Sequence, residues 1–423
     1  MQGVRSCEGP APAPRGTSDA PADCVTTASV VPSAAPSDAK QRRRRKRRRK
    51  TLAGLGFFVL ALLALWIAVH RVQWLGPWLA DAGRKVLGDR IVATLEDWAY
   101  AVDDAYNRLS RRGEQPRAQW PVPAPVPSGT SSATTALAFR PADVGPVHDK
   151  FAAPGDGAWV PVPDERHPEQ APLLYKTLLH PDEHRAWAEL FVVAIDPARV
   201  RLRLVAGTVD PEATTLEGKS YRRPGLIPLE DQDTLVAAFN GGFKTEHGHF
   251  GMRTDGVTLI PARDDVCTLA ALPNESIRIA PWKAIAAEEP HMVWWRQTPQ
   301  CMVERDVLHL ELAGDGTTRW GAAVGGETVI RRSAIGVSEH ADTLYVGVSE
   351  STSAGVLALG MRHAGAWDVA QLDVNWSYPK FLVFRTAASG SIEAVGLFPG
   401  FVFERDEYVR RPAPKDFFYV LRR

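Results

Sequence analysis

Metal-binding patterns are missing from this chain. Its 423 residues hold four cysteines, none in a CxxC pair or at finger-type spacing to histidine, which argues against a structural zinc site. HExxH does not occur, nor does any serine sit within GxSxG, which weighs against a zincin and an α/β-hydrolase. Gly218-Lys219-Ser220 ends like a phosphate loop. However, Ala213 stands where the first glycine is required, and neither a clear preceding strand nor a following helix is evident. No repeat of fixed period is found. Charge is nearly balanced, but ten of the positive charges fall between Lys40 and Lys50, which turns the formal +1 of the whole chain into −9 for the rest. One basic block on a mildly acidic protein, placed directly against a long apolar run, gives little support to nucleic-acid binding.

From Leu52 to Val69 there is no charged residue over about eighteen positions, the minimum for a helix spanning about 30 Å of hydrocarbon. A basic cluster directly before such a run is the positive-inside pattern, and it places the N-terminus in the cytoplasm. Trp66, Trp74 and Trp78 stand at the far end, where an aromatic belt would lie. A cleaved signal peptide would have a shorter apolar region and a small-residue cleavage site, so an uncleaved anchor is the expected reading. Residues 1–50 then form a disordered cytoplasmic tail ending in the basic block, which meets membrane lipid. Residues 51–74 form a transmembrane helix, and the following domain is periplasmic or extracellular. Leu87, Ile91, Leu95, Trp98, Val102, Ala105 and Leu109 recur at three- and four-residue steps, predicting an amphipathic stalk helix over 77–112. The repeat is too short and mixed to specify a coiled coil, though self-association through it is one outcome to test. Residues 113–136 are rich in Pro, Ser and Thr and read as a linker. Cys267 and Cys301 would lie in an oxidising compartment and could pair there.

The globular part, 137–423, consists mostly of short apolar runs bounded by turn residues. Leu190–Ile195, Val200–Val205, Leu235–Phe239, Val257–Ile260, Leu308–Leu312, Leu344–Val348, Ala366–Leu372, Phe381–Phe384 and Phe417–Leu421 read as strands. One helix stands out, Ser353 to His363, with Ser353 as N-cap and Gly365 after its end. The expected class is α+β, a mixed, strand-rich sheet core with a few packed helices, preceded by the transmembrane and stalk helices. Trp294-Trp295-Arg296-Gln297 reads as strand core, with a sugar platform as the alternative.

The stretch Leu235–Gly256 runs as a buried strand into Asn240-Gly241-Gly242 and then a loop with Lys244, Glu246, His247 and His249. Asn-Gly is a strong hairpin signal, and a Gly-Gly pair after a strand also lets a ligand approach the backbone, so hairpin and site both stand. Its order relative to Arg332-Ser-Ala-Ile-Gly336 and Leu372-Asp-Val-Asn-Trp-Ser377 resembles the phosphodiester glycosidase family. That family shares an NGG(F/Y) turn, a downstream Asp/Asn-Gly matched by Asp255-Gly256, an R-(S/T)-A-I-G segment, and a helix, here Gly355 to His363, before LDGGGS. The resemblance covers about residues 175 to 405. It differs where the family has Asp-Gly-Gly-Gly-Ser and this chain has Asp373-Val374-Asn375-Trp376-Ser377. Either the pocket accepts a different ligand, with Trp376 stacking on a sugar, or hydrolysis has been lost.

The resemblance implies a hydrolase of a sugar phosphodiester or related envelope glycan, with a non-catalytic glycan-binding or scaffold module as the alternative. Its ligand is a carbohydrate or glycosyl phosphate. Arg332 is the expected phosphate clamp, since a guanidinium offers paired donors to two oxygens. Asp373 at a strand end would act as nucleophile, general base or metal ligand, or merely cap a turn. Asn240 with the Gly241 and Gly242 amides would hold sugar hydroxyls or a phosphate oxygen. Glu246 and His247 are candidate proton-transfer groups. His249, Asn375, Trp376 and Ser377 complete the expected binding surface. No metal is assigned, because two histidines two apart on a loop are more often solvated, and the sequence specifies no cofactor.

Overall fold

The computed structural model describes residues 38–71, 83, 86, 88–121, 139–312, 320 and 328–423. Residues 1–37 of the tail expected over 1–50, the tryptophans at 74 and 78, most of 77–87 at the start of the expected stalk, and most of the expected linker lie outside them. Two compact units divide the chain, Met1–Leu75 and Gly76–Arg423. In the first, one helix, Asp38–Arg71, runs through the basic block and the apolar run. Several apolar side chains of that run are outside the described residues. Among the described residues no helix is long and apolar enough to cross a membrane. A membrane-spanning role for residues 51–74 is therefore a proposal that rests on the sequence pattern.

The second unit is built on three sheets, and every strand pair among the described residues is antiparallel. The first sheet orders β1 (Val160–Val162), β2 (Leu174–Leu179), β3 (Glu189–Ile195), β14 (Leu344–Thr352), β13 (Ile330–Val337), β15 (Asp368–Val374), β11 (Val303–Glu304) and β12 (Val307–Leu308). The second orders β17 (Ile392–Gly396), β16 (Phe381–Thr386), β5 (Leu235–Asn240), β18 (Phe417–Arg422) and β4 (Val200–Val205). The third orders β7 (Val257–Ile260), β6 (Met252–Thr254), β10 (Trp294–Thr298), β8 (Cys267–Ala271) and β9 (Ile277–Pro281).

Strand alternation explains why β3 is apolar from Leu190 to Ile195. Phe191, Val193 and Ile195 face a core shared with the second and third sheets, while Leu190, Val192 and Ala194 face the Ala354–His363 helix on the other side. A strand covered on both faces loses the polar half of its pattern. The helix begins where Ser353 Oγ accepts from Val356 N at 3.3 Å and stops before Gly365, whose φ is +108°. It lies close to the sheet at Gly347, where a Cβ would meet Met361 Sδ at 2.3 Å.

The α+β, strand-rich expectation matches this architecture, and most of the expected strands are present. Leu308–Leu312 is corrected: β12 ends at Leu308, and Leu310–Leu312 is a 3₁₀ turn whose Leu310 points to solvent. Trp294 and Trp295 are buried in β10, so this pair is strand core and no sugar platform. Cys267 and Cys301 form a disulfide between the start of β8 and the segment after β10.

The predicted stalk is an Asp89–Ser110 helix held to the domain by its polar side. Arg185, almost fully buried, donates from Nε and Nη2 to the two oxygens of Asp104 at 2.7 and 2.8 Å, and from Nη1 to Asp182 at 2.8 Å. The first part of the 113–136 stretch is also attached. Gln119 donates to Glu189 at 2.6 Å, and Trp120 lies within 6.2 Å of Phe191 and Phe398, with Lys176 Nζ 4.5 Å over its ring.

Burial works against the Asp104 charge, yet the bonds from Arg185 outweigh it and hold the carboxyl below its ordinary 3.8. A depressed folded-state value stabilises docking above pH 3.8, and that contribution is lost as pH falls through the lower folded value. Asp104→Asn removes roughly 1.5–3 kcal/mol of charged hydrogen bonding. It is expected to accelerate hydrogen exchange across Asp89–Ser110 at neutral pH, with the wild type approaching the same rates only in strong acid.

Candidate functional site

Strand β5 ends at Asn240, whose amide is fully buried and fully used. Nδ2 donates to Ser333 Oγ at 2.8 Å and to Gly241 O at 3.1 Å, while Oδ1 accepts from Lys380 N at 3.1 Å. Ser333 Oγ in turn donates to Asp373 O at 2.9 Å. One hydroxyl thus ties together the three stretches on which the family resemblance rests. Asp373 N reaches back to Gly241 O at 3.0 Å and closes the ring.

The Asn-Gly-Gly turn is no hairpin, because β5 pairs with β16 and β18 and the chain after it enters the third sheet. Its glycines are explained by crowding. A Cβ on Gly241 would meet Asp416 Oδ2 at 2.3 Å, and one on Gly242 would meet the Arg296 guanidinium at 3.0 Å. Asp416 accepts from Gly242 N at 3.0 Å and from Arg296 Nε at 2.9 Å, and its main-chain oxygen accepts from Gly241 N at 2.9 Å. Both glycine amides are therefore engaged within the protein. Arg296 also donates to Phe250 O, Gln297 O and Phe243 O, at 3.0, 3.0 and 2.5 Å. This pair is 0% and 1% exposed at its side chains, and it draws the whole 241–251 loop around one guanidinium.

Beside it, Lys415 Nζ donates to Asp373 Oδ2 at 2.6 Å and sits 4.2 Å over the Tyr378 ring. Asp373 Oδ1 accepts from its neighbour Val374 N at 2.9 Å. Tyr378 donates to Asp416 O at 2.9 Å, and its burial, with Tyr408 and the Asp416 and Asp373 charges nearby, pushes its hydroxyl well above the ordinary value. The loop before residue 212 joins the same corner, since Asp210 N donates to Pro414 O at 2.8 Å and Thr245 Oγ1 to Glu212 O at 2.9 Å. Burial raises the Asp210 carboxyl, against the opposing pull of Lys244 and Lys415. Arg223 feels the Asp210 and Asp416 charges, but burial dominates and lowers its guanidinium; Nε and Nη2 are buried without a hydrogen-bond partner. Asp416 Oδ1 is likewise buried and unpartnered. For these atoms the protein itself supplies no hydrogen-bond partner.

The structure separates the expected residues into two groups. Asn240, Gly241, Gly242 and Asp373 meet at this corner. Arg332 does not present its fork to it: the buried guanidinium donates to Thr352 O, Trp320 O and Thr328 O at 3.2, 2.6 and 2.8 Å. Glu246 and His247 lie on an exposed 3₁₀ turn, 3.5 Å apart, with Lys244 Nζ 3.6 Å from the same carboxylate. His249 is exposed at the end of that loop. Asn375 accepts from Ser377 N and Oγ, both at 3.0 Å, and so shapes its own turn; Trp376 is half-buried. Val374 packs against the cluster of Phe243, Phe250 and Val266, so the bulk that replaces glycine there serves packing. Among the described residues no group of three or more His, Cys, Asp or Glu is placed to hold a metal ion.

No family model and no curated protein matches this chain. Among solved structures, it is weakly similar in fold to a glycosidase catalytic domain. That domain is zebrafish N-acetylglucosamine-1-phosphodiester α-N-acetylglucosaminidase auto-inhibited by its pro-peptide (TM-score 0.40, 12% identity, 63% of this chain and 88% of that one). A hypothetical protein from Synechocystis has TM-score 0.31 and 11% identity over 60% of this chain and 65% of that one. A putative exported protein from Burkholderia pseudomallei has TM-score 0.29 and 12% identity over 55% and 74%. These are likenesses of fold.

The residues that sequence reading missed are Asp210, Arg223, Ser333, Tyr378, Lys415 and Asp416, together with the role of Arg296. Removing one partner of a buried pair leaves an uncompensated charge, which costs about 3–5 kcal/mol. Arg296→Met is expected to destabilise the protein by that amount in denaturant titration. Arg362→Met breaks the exposed pair with Asp306 and should cost under about 1 kcal/mol.

Proposed function

We propose that this chain is a membrane-anchored extracytoplasmic hydrolase of a sugar phosphodiester or related envelope glycan, with its centre at the Asp373–Lys415 corner. The observation that carries the reading is the convergence of Asn240, Ser333 and Asp373 beside Lys415, with Arg223 within the field of the Asp210 and Asp416 carboxylates. Lys415, Lys244 and Arg223 supply positive charge for a phosphate, and they act strongly because the corner is partly withdrawn from water. Water supplies a hydroxyl to the anomeric carbon, the carbon–oxygen bond to phosphate breaks, and the bonding pair leaves with the phosphate monoester. Asp373, oriented by Lys415, takes the proton of the attacking water. Asp210, its carboxyl raised by burial, protonates the departing oxygen. The Arg332 clamp role passes to Arg223 and Lys415 in this scheme.

The disulfide between Cys267 and Cys301 supports an oxidising location for the domain. Leu52–Val69 preceded by the basic block supports an anchor with a cytoplasmic N-terminus. A second reading, a glycan-binding module without turnover, is favoured by the packing of Val374 where the resembling family has glycine.

Full-length protein in detergent is expected to release sugar from a glycosyl phosphodiester, and Asp373→Asn to lower the rate by about 100-fold or more. Failure across a broad panel of such diesters, with Trp376 fluorescence protected by ligand, would favour the binding reading. The proton donor must be protonated, so kcat/KM should fall as pH rises through the raised Asp210 value. Asp210→Asn should abolish that alkaline limb as well as lowering the rate.

A further inference from the structure

The Asp89–Ser110 helix is oriented the wrong way round for a helix that belongs only to its own domain. A surface helix ordinarily buries its apolar stripe and turns its charges to water. Here the acidic side is bonded to the domain through Asp104 and Arg185, while Ile91, Leu95, Trp98, Val102 and Leu109 are between 48% and 76% exposed. With Ala105, these residues step through the helix at 4-3-4-3-4, the a/d spacing of a two-helix seam. The positions flanking the seam, Val92, Thr94, Ala99, Ala101, Tyr106 and Arg108, carry one charge among them, and of these Val92 is buried.

We propose that this face pairs with the same face of a second copy of the chain, in parallel and about a two-fold axis. Three features favour a second copy over a lipid surface. Heptad spacing matches a helical partner, for which the seam alone is complementary. The nearly uncharged flanks put almost no like charge opposite itself across a two-fold axis, the arrangement a homodimer requires. The helix carries five acidic residues against two arginines, whereas helices that lie on membranes use Lys and Arg on their polar side. The Asp104–Arg185 contact uses a residue off the seam, so docking of the helix to its own domain and pairing through the seam draw on different residues. Isolated, three heptads are marginal; with the anchor proposed above, copies share one plane at raised effective concentration.

The test uses the full chain in detergent and in lipid nanodiscs, with Cys7→Ser and Cys24→Ser as background. The expected result is a dimer in mass measurement, disulfide cross-linking of Ala105→Cys on the seam with little cross-linking of Asp103→Cys off it, and a dissociation constant raised at least 100-fold by Leu95→Glu with Val102→Glu. A monomeric wild type overturns the proposal, as does a dimer that survives the double substitution without cross-linking at 105. Quenching of Trp98 by lipids brominated on their acyl chains, in a protein that stays monomeric, assigns the face to the bilayer and equally overturns it.

Discussion

The buried pair between Asp416 and Arg296 is the contact on which the candidate site depends. It joins the first residue before β18 to the middle of β10, and so couples the second sheet to the third. Removing both charges from water is costly, and the surrounding carbonyls of Phe243, Phe250 and Gln297 offset part of that cost by accepting the remaining guanidinium protons. What the arrangement secures is position. The 241–251 loop, which would otherwise be free after β5, is gathered onto a single rigid group whose backbone lies in a sheet.

The site is assembled outward from that contact. Each partner of the pair needs a glycine beside it, Gly241 against Asp416 and Gly242 against Arg296, so the strand must end in Gly241-Gly242. The turn brings Gly241 O to Asp373 N, and Ser333 bridges the remaining gap to Asn240. Only then does Lys415, next to Asp416 in sequence, fall within reach of the Asp373 carboxylate. Asp373, Lys415 and Asp416 are thus adjacent because β5 and β15 end where β18 begins.

Much of the fold was legible in the sequence because burial writes itself into apolar runs: β4 and β7 were read to the residue, and the Ala354–His363 helix from its cap. Strand β13 was not, since Arg331 and Arg332 interrupt its apolar pattern and both are buried. The same arginines show why the site was only half legible. Arg332 looked like a clamp by residue type, but its donors are spent on carbonyls, and residue type does not reveal that. Lys415 and Asp416 carried no local signal at all. Lys415 stands 42 residues from Asp373, and Asp416 stands 174 from Gly242. Only the antiparallel register of β18 against β5 makes them neighbours.

The attachment of Trp120 changes what the proline-rich stretch can do mechanically. Trp120 packs among Phe191 and Phe398, and Phe139 stacks edge-on with Tyr175, so both ends of that stretch are fastened to the same body. With the Asp89–Ser110 helix also fastened to that body through Asp104 and Arg185, the length of the proline-rich stretch is no spacer: extra residues there would leave the helix and the sheets where they are.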